Sequence, residues 1–345
     1  MTDLPPQLPD GPPPLDVGGP TPPPDVKTRQ GRLVVTVVVL LTVLLVVAVV
    51  VLAPGGDDAG DDDAGDASSS ESSESVDAVV GEDTVGDPYT PDAGATGYDV
   101  DHYLVQLEYD PEDGTVDGTT TITATAEADL ERFSVDLIAL EADEVTVDGE
   151  PAEVDVEGRD VRITPTDPLV AGDEFEVVVE YGGVPEPVLS AGFPTGWLTT
   201  DEGGAYVIGE PDGAATWFPS NDHPTDKAAY DFEITVPDGW AVAANGELLG
   251  RRDDGDTVTW AWREDDPMAS YLATVAIDRF AVIEEETEDG LPLVSFFPEE
   301  QADELQAAFG DVGAMIEVYE ERFGPYPFDE YGAIVVPEQL GLALE

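Results

Sequence analysis

The chain has 345 residues, room for roughly two domains plus tails, and 41% hydrophobic content to supply a sizeable core. Its 77 acidic against 12 basic residues give a formal charge of -65, which excludes nucleic acid as a partner because a phosphate backbone would repel such a surface. The absence of cysteine excludes disulfides, thiolate catalysis and Cys-ligated zinc.

Residues 1–31 are rich in Pro, Gly and Asp and read as a disordered cytoplasmic tail. Residues 33–53 (LVVTVVVLLTVLLVVAVVVLA) carry no charge over 21 positions, enough to cross a hydrocarbon core of about 30 Å as a helix. Lys27, Arg29 and Arg32 lie just before this span, and the next basic residue is Arg132. The positive-inside rule then predicts a single-pass signal-anchor in the cell membrane, N-terminus cytoplasmic and the bulk of the chain extracellular. Residues 54–90 are an acidic Gly/Ser/Asp stretch, expected to be a disordered, extended linker.

From about 95 to 285, short alternating runs such as YDVDHYLVQLEY, TTTITATAEA, EFEVVVEYGG and DTVTWAW recur between Gly, Pro and Asp turns. The texture is mainly β, and the spacing predicts an antiparallel β-sandwich or saddle. Trp240, Trp260 and Trp262 read as packing residues there. Near Gly290 the texture changes. LPLVSFF predicts a strand, and Leu305, Phe309, Val312, Met315, Ile316, Tyr319 and Phe323 predict one helix that Gly324 and Pro325 stop. YGAIVV (331–336) then reads as a buried strand.

The chain is organised around Trp217–Ala228, WFPSNDHPTDKA, in which two prolines frame an Asn-Asp-His turn before the alternating strand AAYDFEITVP. Trp217 and Phe218 are expected to plug into a core. Asp222 and Asp226 are expected to bind turn amides or to pair with Lys227, one of two lysines in the chain. This stretch resembles the Trp/Tyr-Phe-Pro-x-x-Asp-x-Pro-x-x-Lys-Ala segment of the aminopeptidase N family of zinc metallopeptidases. Four more stretches agree with that family in order: Tyr98–Tyr103, Val145–Ala152, Pro267–Ala273 and Phe323–Phe328.

The resemblance implies an N-terminal β-domain over 91–286, then the first α/β elements of a truncated thermolysin-like catalytic domain over 287–345. It also implies an enzyme that releases N-terminal residues from peptides by means of a zinc-bound water. Such a zinc needs His-Glu-x-x-His on a helix plus a further carboxylate. The two histidines here, His102 and His223, lie far apart and lack that pattern. No metal is therefore expected to bind this chain, which is expected to be inactive as it stands. His102 and His223 read as structural or surface residues.

Two carboxylates fall at positions that hold the substrate's free amine in the family. Glu345 stands in GLALE, where the family carries Gly-Ala-Met-Glu, with Leu342 replacing Gly and Leu344 replacing Met. Glu210 stands in GEPDGA, with Ile208 and Ala215 in place of the usual Gln and Arg. The alternative reading is a non-catalytic extracellular β-sandwich that binds or spaces.

Overall fold

The computed structural model describes residues 78–345 apart from Ala191, Gln339, Leu342 and Glu345. The expected tail, the 33–53 span and most of the linker lie outside the described residues. Among the described residues no helix is long and apolar enough to cross a membrane. Within the stretch expected as linker, Val79–Val80 is a short strand parallel to Leu130–Asp136, and Asp87 accepts hydrogen bonds from the Tyr89 and Thr90 amides.

An eight-stranded sheet forms the largest layer. In spatial order its strands are Glu247–Asp253, Thr257–Ala269, Lys227–Pro237, Tyr98–Asp110, Thr115–Ala126, Glu174–Gly183, Glu141–Val147 and Glu150–Pro151. The alternation predicted for these runs is realised: Ala228, Tyr230, Phe232, Ile234 and Val236 all point inward from Lys227–Pro237. In Tyr98–Asp110 both Val100 and Tyr103 are buried although they are three apart. A register shift between Val100 and His102 opposite Ala124 and Thr123 inserts one extra residue and resets the phase.

A four-stranded sheet (Val79–Val80, Leu130–Asp136, Asp160–Thr164, Glu153–Glu157) and a five-stranded one (Val188–Ser190, Phe193–Thr199, Ala205–Ile208, Val275–Asp278, Ala241–Ala244) accompany it. Side chains of all three sheets, among them Tyr103, Phe133, Trp197, Phe232 and Val242, fall in one buried cluster. Trp240, Trp260 and Trp262 are buried in it as expected.

The expectation of a purely antiparallel architecture is corrected. Lys227–Pro237 runs parallel to Tyr98–Asp110. A parallel neighbour needs a long crossover, and more than a hundred residues that build other strands separate the two. After the last strand of this sheet, Ser270–Leu272 forms a 3-10 turn that leads into strand Val275–Asp278.

The C-terminal part contains a three-stranded sheet of Phe280–Glu286, Pro292–Pro298 and Tyr331–Ile334. The single helix expected over Leu305–Phe323 is two: α1, Ala302–Phe309, and α2, Val312–Phe323, parted at Gly310 and Asp311, a pair of weak helix formers. Gly324 ends α2 with a positive φ of 101°, a conformation a side chain would disfavour. Only Ile316 of the apolar helical set is buried in α2; Met315, Tyr319 and Phe323 are 54%, 63% and 80% exposed. Tyr331–Ile334 is also not the buried strand expected. Among the described residues it pairs only with Pro292–Pro298, at the sheet edge, and Ile334 is exposed.

Candidate functional site

The WFPSNDHPTDKA stretch is where the strands meet. Trp217 and Phe218 are fully buried, with Phe218 edge-on to Tyr103 at 5.6 Å and Trp217 stacked on Phe232 at 6.0 Å. Asn221 ties two distant segments to this core. Its side chain accepts from the Ala95 amide (2.7 Å) and donates to the Ala95 carbonyl (3.4 Å) and to Asp226, and its own amide donates to the Tyr103 hydroxyl (2.9 Å). Asp226 also accepts from the Val100 amide at 3.1 Å. Gly94 approaches so closely that an added Cβ would sit 2.5 Å from the His223 Cβ, and its φ of +71° favours glycine as well.

Asp222 lies at the centre of a buried ionic cluster. Ser270 Oγ donates to its Oδ1 (2.9 Å), while the Ala215 amide and Arg159 Nη2 both reach its Oδ2 (3.2 Å). The same guanidinium donates through Nε to Asp136 (2.8 Å) and through Nη1 to Asp212 (3.3 Å). Asp136 in turn accepts from the amides of Gly94 (2.8 Å) and Asp222 (3.1 Å). One cation thus faces three carboxylates. Burial pushes Asp136 up to about 7 against the opposing pull of Arg159, and burial raises Asp222 as well. Burial works against the charge of Arg159, but the three aspartates more than offset it and keep the guanidinium charged.

Two of the sequence motifs therefore converge on WFPSNDHPTDKA: Tyr98–Tyr103 through Tyr103 and Val100, and Pro267–Ala273 through Ser270. Val145–Ala152 instead forms a hairpin at the sheet edge, turning at Asp148 and Gly149 with φ of 52° and 79°. The pairing expected for Lys227 is corrected. Among the described residues this exposed lysine forms no ion pair, because Asp222 is turned toward Arg159 and Asp226 toward Asn221 and Val100. Arg159, Asp136 and Asp212 were not singled out from sequence; the available signal was the scarcity of arginine in so acidic a chain.

Glu210 occupies a turn that follows strand Ala205–Ile208 and closes with a 2.7 Å hydrogen bond from the Gly213 amide to the Gly209 carbonyl. Its side chain is exposed, and among the described residues it pairs with no cation. The turn beneath it is tightly seated: a Cβ on Gly209 would lie 2.2 Å from the Tyr271 carbonyl oxygen, and one on Gly213 2.8 Å from the Gly196 nitrogen. Ile208 is half-buried at the strand end, paired with Gly196, and Ala215 is fully buried. The arrangement is a free carboxylate on a rigid support, suited to an ammonium group. Glu345 lies outside the described residues.

No zinc centre can be assembled from the described residues, which contain no grouping of three His, Cys, Asp or Glu side chains placed to hold a metal. His102 Nε2 faces Asp231 Oδ2 at 3.2 Å, His223 Nδ1 faces Thr225 Oγ1 at 2.7 Å, and the acidic cluster already holds a guanidinium.

Residues 99–272 match the Peptidase M1 N-terminal domain. Aminopeptidase N of Streptomyces lividans is 26% identical over 267 residues, 73% of this chain and 30% of that protein. Aminopeptidase M1 of Arabidopsis thaliana is 25% identical over 137 residues, 39% of this chain and 16% of that protein. Among solved structures, the M1 zinc metallopeptidase of Deinococcus radiodurans superposes with a TM-score of 0.66 at 25% identity, covering 74% of this chain and 60% of that one. A variant of that enzyme, solved bound to a Tyr-Ser-Ala substrate, is similar in fold at 24% identity and a TM-score of 0.66. The chain thus spans less than a third of these curated relatives and about three-fifths of the solved enzyme.

Proposed function

This chain belongs to the M1 peptidase family, whose N-terminal domain it carries, and on that premise we propose that it serves a zinc aminopeptidase as the β-domain that receives the N-terminus of a peptide substrate. Glu210 and Glu345 are the carboxylates that hold the substrate's free amine, one from the β-domain and one from the opening of the catalytic domain at 287–345. The observation that carries this reading is the exposed, unpaired Glu210 on a turn locked by Gly209, Asp212 and Gly213. An ammonium group held there gains a charge-assisted hydrogen bond without the entropy cost of ordering the turn.

Zinc and its hydrolytic water belong to parts of the enzyme other than residues 78–345. The 345-residue chain is expected to bind no stoichiometric zinc and to hydrolyse no aminoacyl substrate, while a form that carries a complete catalytic domain does both. Metal analysis and an aminoacyl-anilide assay check this, and zinc-dependent hydrolysis by the 345-residue chain would contradict it.

We assign residues 33–53 as a membrane anchor, with the β-domain, which Val79–Val80 joins as a strand, outside the cell on the shortened linker that begins at residue 54. The basic flank of Lys27, Arg29 and Arg32 supports that orientation. Protease added to intact cells should remove the chain beyond about residue 54 and spare the tail; degradation of the tail with the β-domain protected would reverse the topology.

A further inference from the structure

We propose that Arg159 is a positioning residue for the Glu210 turn: by gripping Asp212 on the turn and Asp136 and Asp222 beneath it, its guanidinium fixes where the turn sits. The functional weight of this placement rests on the amine-binding reading of Glu210; the placement itself does not.

Arg159 is itself firmly held. It occupies the hairpin between Glu153–Glu157 and Asp160–Thr164, and its carbonyl accepts from the Leu137 amide at 2.8 Å, next to Asp136. The side chain is largely buried and spends each of its three nitrogens on a different segment: Nε on the end of strand Leu130–Asp136, Nη2 on the WFPSNDHP stretch, Nη1 on the turn. A planar guanidinium fork suits such a three-way junction, whereas a lysine ammonium is a point charge without that fixed geometry.

Asp212 stands two residues beyond Glu210. Its Oδ1 is buried without a hydrogen-bond partner, and the bond from Arg159 to Oδ2 is the single hydrogen bond its side chain makes among the described residues. The turn's other restraints are steric, at Gly209 and Gly213, and the Thr216 hydroxyl donates to the Gly213 carbonyl at 2.7 Å. The steric contacts stop the turn from moving inward. Thr216, which also accepts from the Trp197 amide, ties the Gly213 end of the turn to the domain, and among the described residues the Arg159–Asp212 bond is the one ion pair that does so from the turn's own side chains.

Amide hydrogen exchange on the full 345-residue chain tests this, with the Gly213 amide reporting on the turn and the Phe232 and Val105 amides on the central strands. Asp212→Ala removes the acceptor of this bond, and Arg159→Lys keeps a charge and removes the fork. Both are expected to speed exchange at Gly213 by about tenfold or more, the loss of one hydrogen bond to a charged group, and in Asp212→Ala, which leaves Arg159 on Asp136 and Asp222, Phe232 and Val105 exchange as in the unaltered chain. Unchanged exchange at Gly213 in Asp212→Ala would overturn the proposal. So would an equal rise at all three amides in Asp212→Ala, which would make the Arg159–Asp212 bond a contributor to global stability only. The readout involves no substrate, so an amine-binding reading that fails in a Glu210→Ala peptidase assay leaves the placement standing.

Discussion

Asp222 is fully buried and serves three donors, yet the cluster around it holds more negative charge than its one guanidinium balances. These two facts pull a substitution in opposite directions. Asp222→Asn retains acceptors for Ser270 or Ala215 and relieves the excess charge, while Arg159 keeps Asp136 and Asp212; it is expected to cost less than about 1 kcal/mol. Asp222→Ala leaves the Ser270 hydroxyl and the Ala215 amide buried without partners and is expected to cost about 2–3 kcal/mol. Urea unfolding measures both, and equal costs would show that the hydrogen bonds here are not what Asp222 provides. At this scale the sequence was half legible. A rare cation facing fixed carboxylates was the right kind of expectation, but it was attached to Lys227. Lys227 begins a strand in the chosen motif, whereas Arg159 sits in a hairpin 63 positions from its partner Asp222, and local sequence carries no trace of such a pairing.

Among the elements, period-two alternation was readable wherever one strand face is buried, as in Lys227–Pro237, because the side-chain period of a strand is fixed by its pleat. The extra residue near Asp101 was not readable, since a bulge shows in sequence only as a slipped alternation. Strand direction was also hidden. Nothing local distinguishes Lys227–Pro237 as a parallel neighbour of Tyr98–Asp110 from an antiparallel one, and hairpin spacing suggested the latter. Helix periodicity was correct for Val312–Phe323, but periodicity predicts an apolar stripe, not what covers it. The same holds for Tyr331–Ile334, apolar in composition and exposed at the sheet edge. Of the site, Glu210 came from the family pattern around it. The cluster that holds its turn came only from the folded arrangement.

For the whole molecule, charge was legible from composition, and its consequence is a dependence of stability on pH. Burial raises Asp136 and Asp226 to about 7 in the folded chain, from an ordinary value near 3.8. Asp136 faces Arg159 and Asp222, and Asp226 faces Asn221 with Asp99 and Glu127 nearby. A raised folded-state value means that protonation favours the fold. The contribution is full below the unfolded value and is lost as pH rises through about 7. The melting temperature is therefore expected to fall between about pH 5 and about pH 8, measured in roughly molar salt so that surface repulsion is screened. The double variant Asp136→Asn, Asp226→Asn should flatten that slope. A melting temperature that rises over this interval, or a slope unchanged in the double variant, would contradict the assignment of the pH dependence to these two groups.

The proposed role of this β-domain is to present Glu210 to the free amine of a peptide. The most direct test compares kcat/KM for an aminoacyl anilide and its N-acetylated form, using a form of the protein that carries a complete catalytic domain, with and without Glu210→Ala. The variant is expected to lose about tenfold or more on the free-amine substrate, mainly through KM, and little on the blocked one, the signature of a lost charge-assisted contact. An unchanged ratio between the two substrates would contradict it.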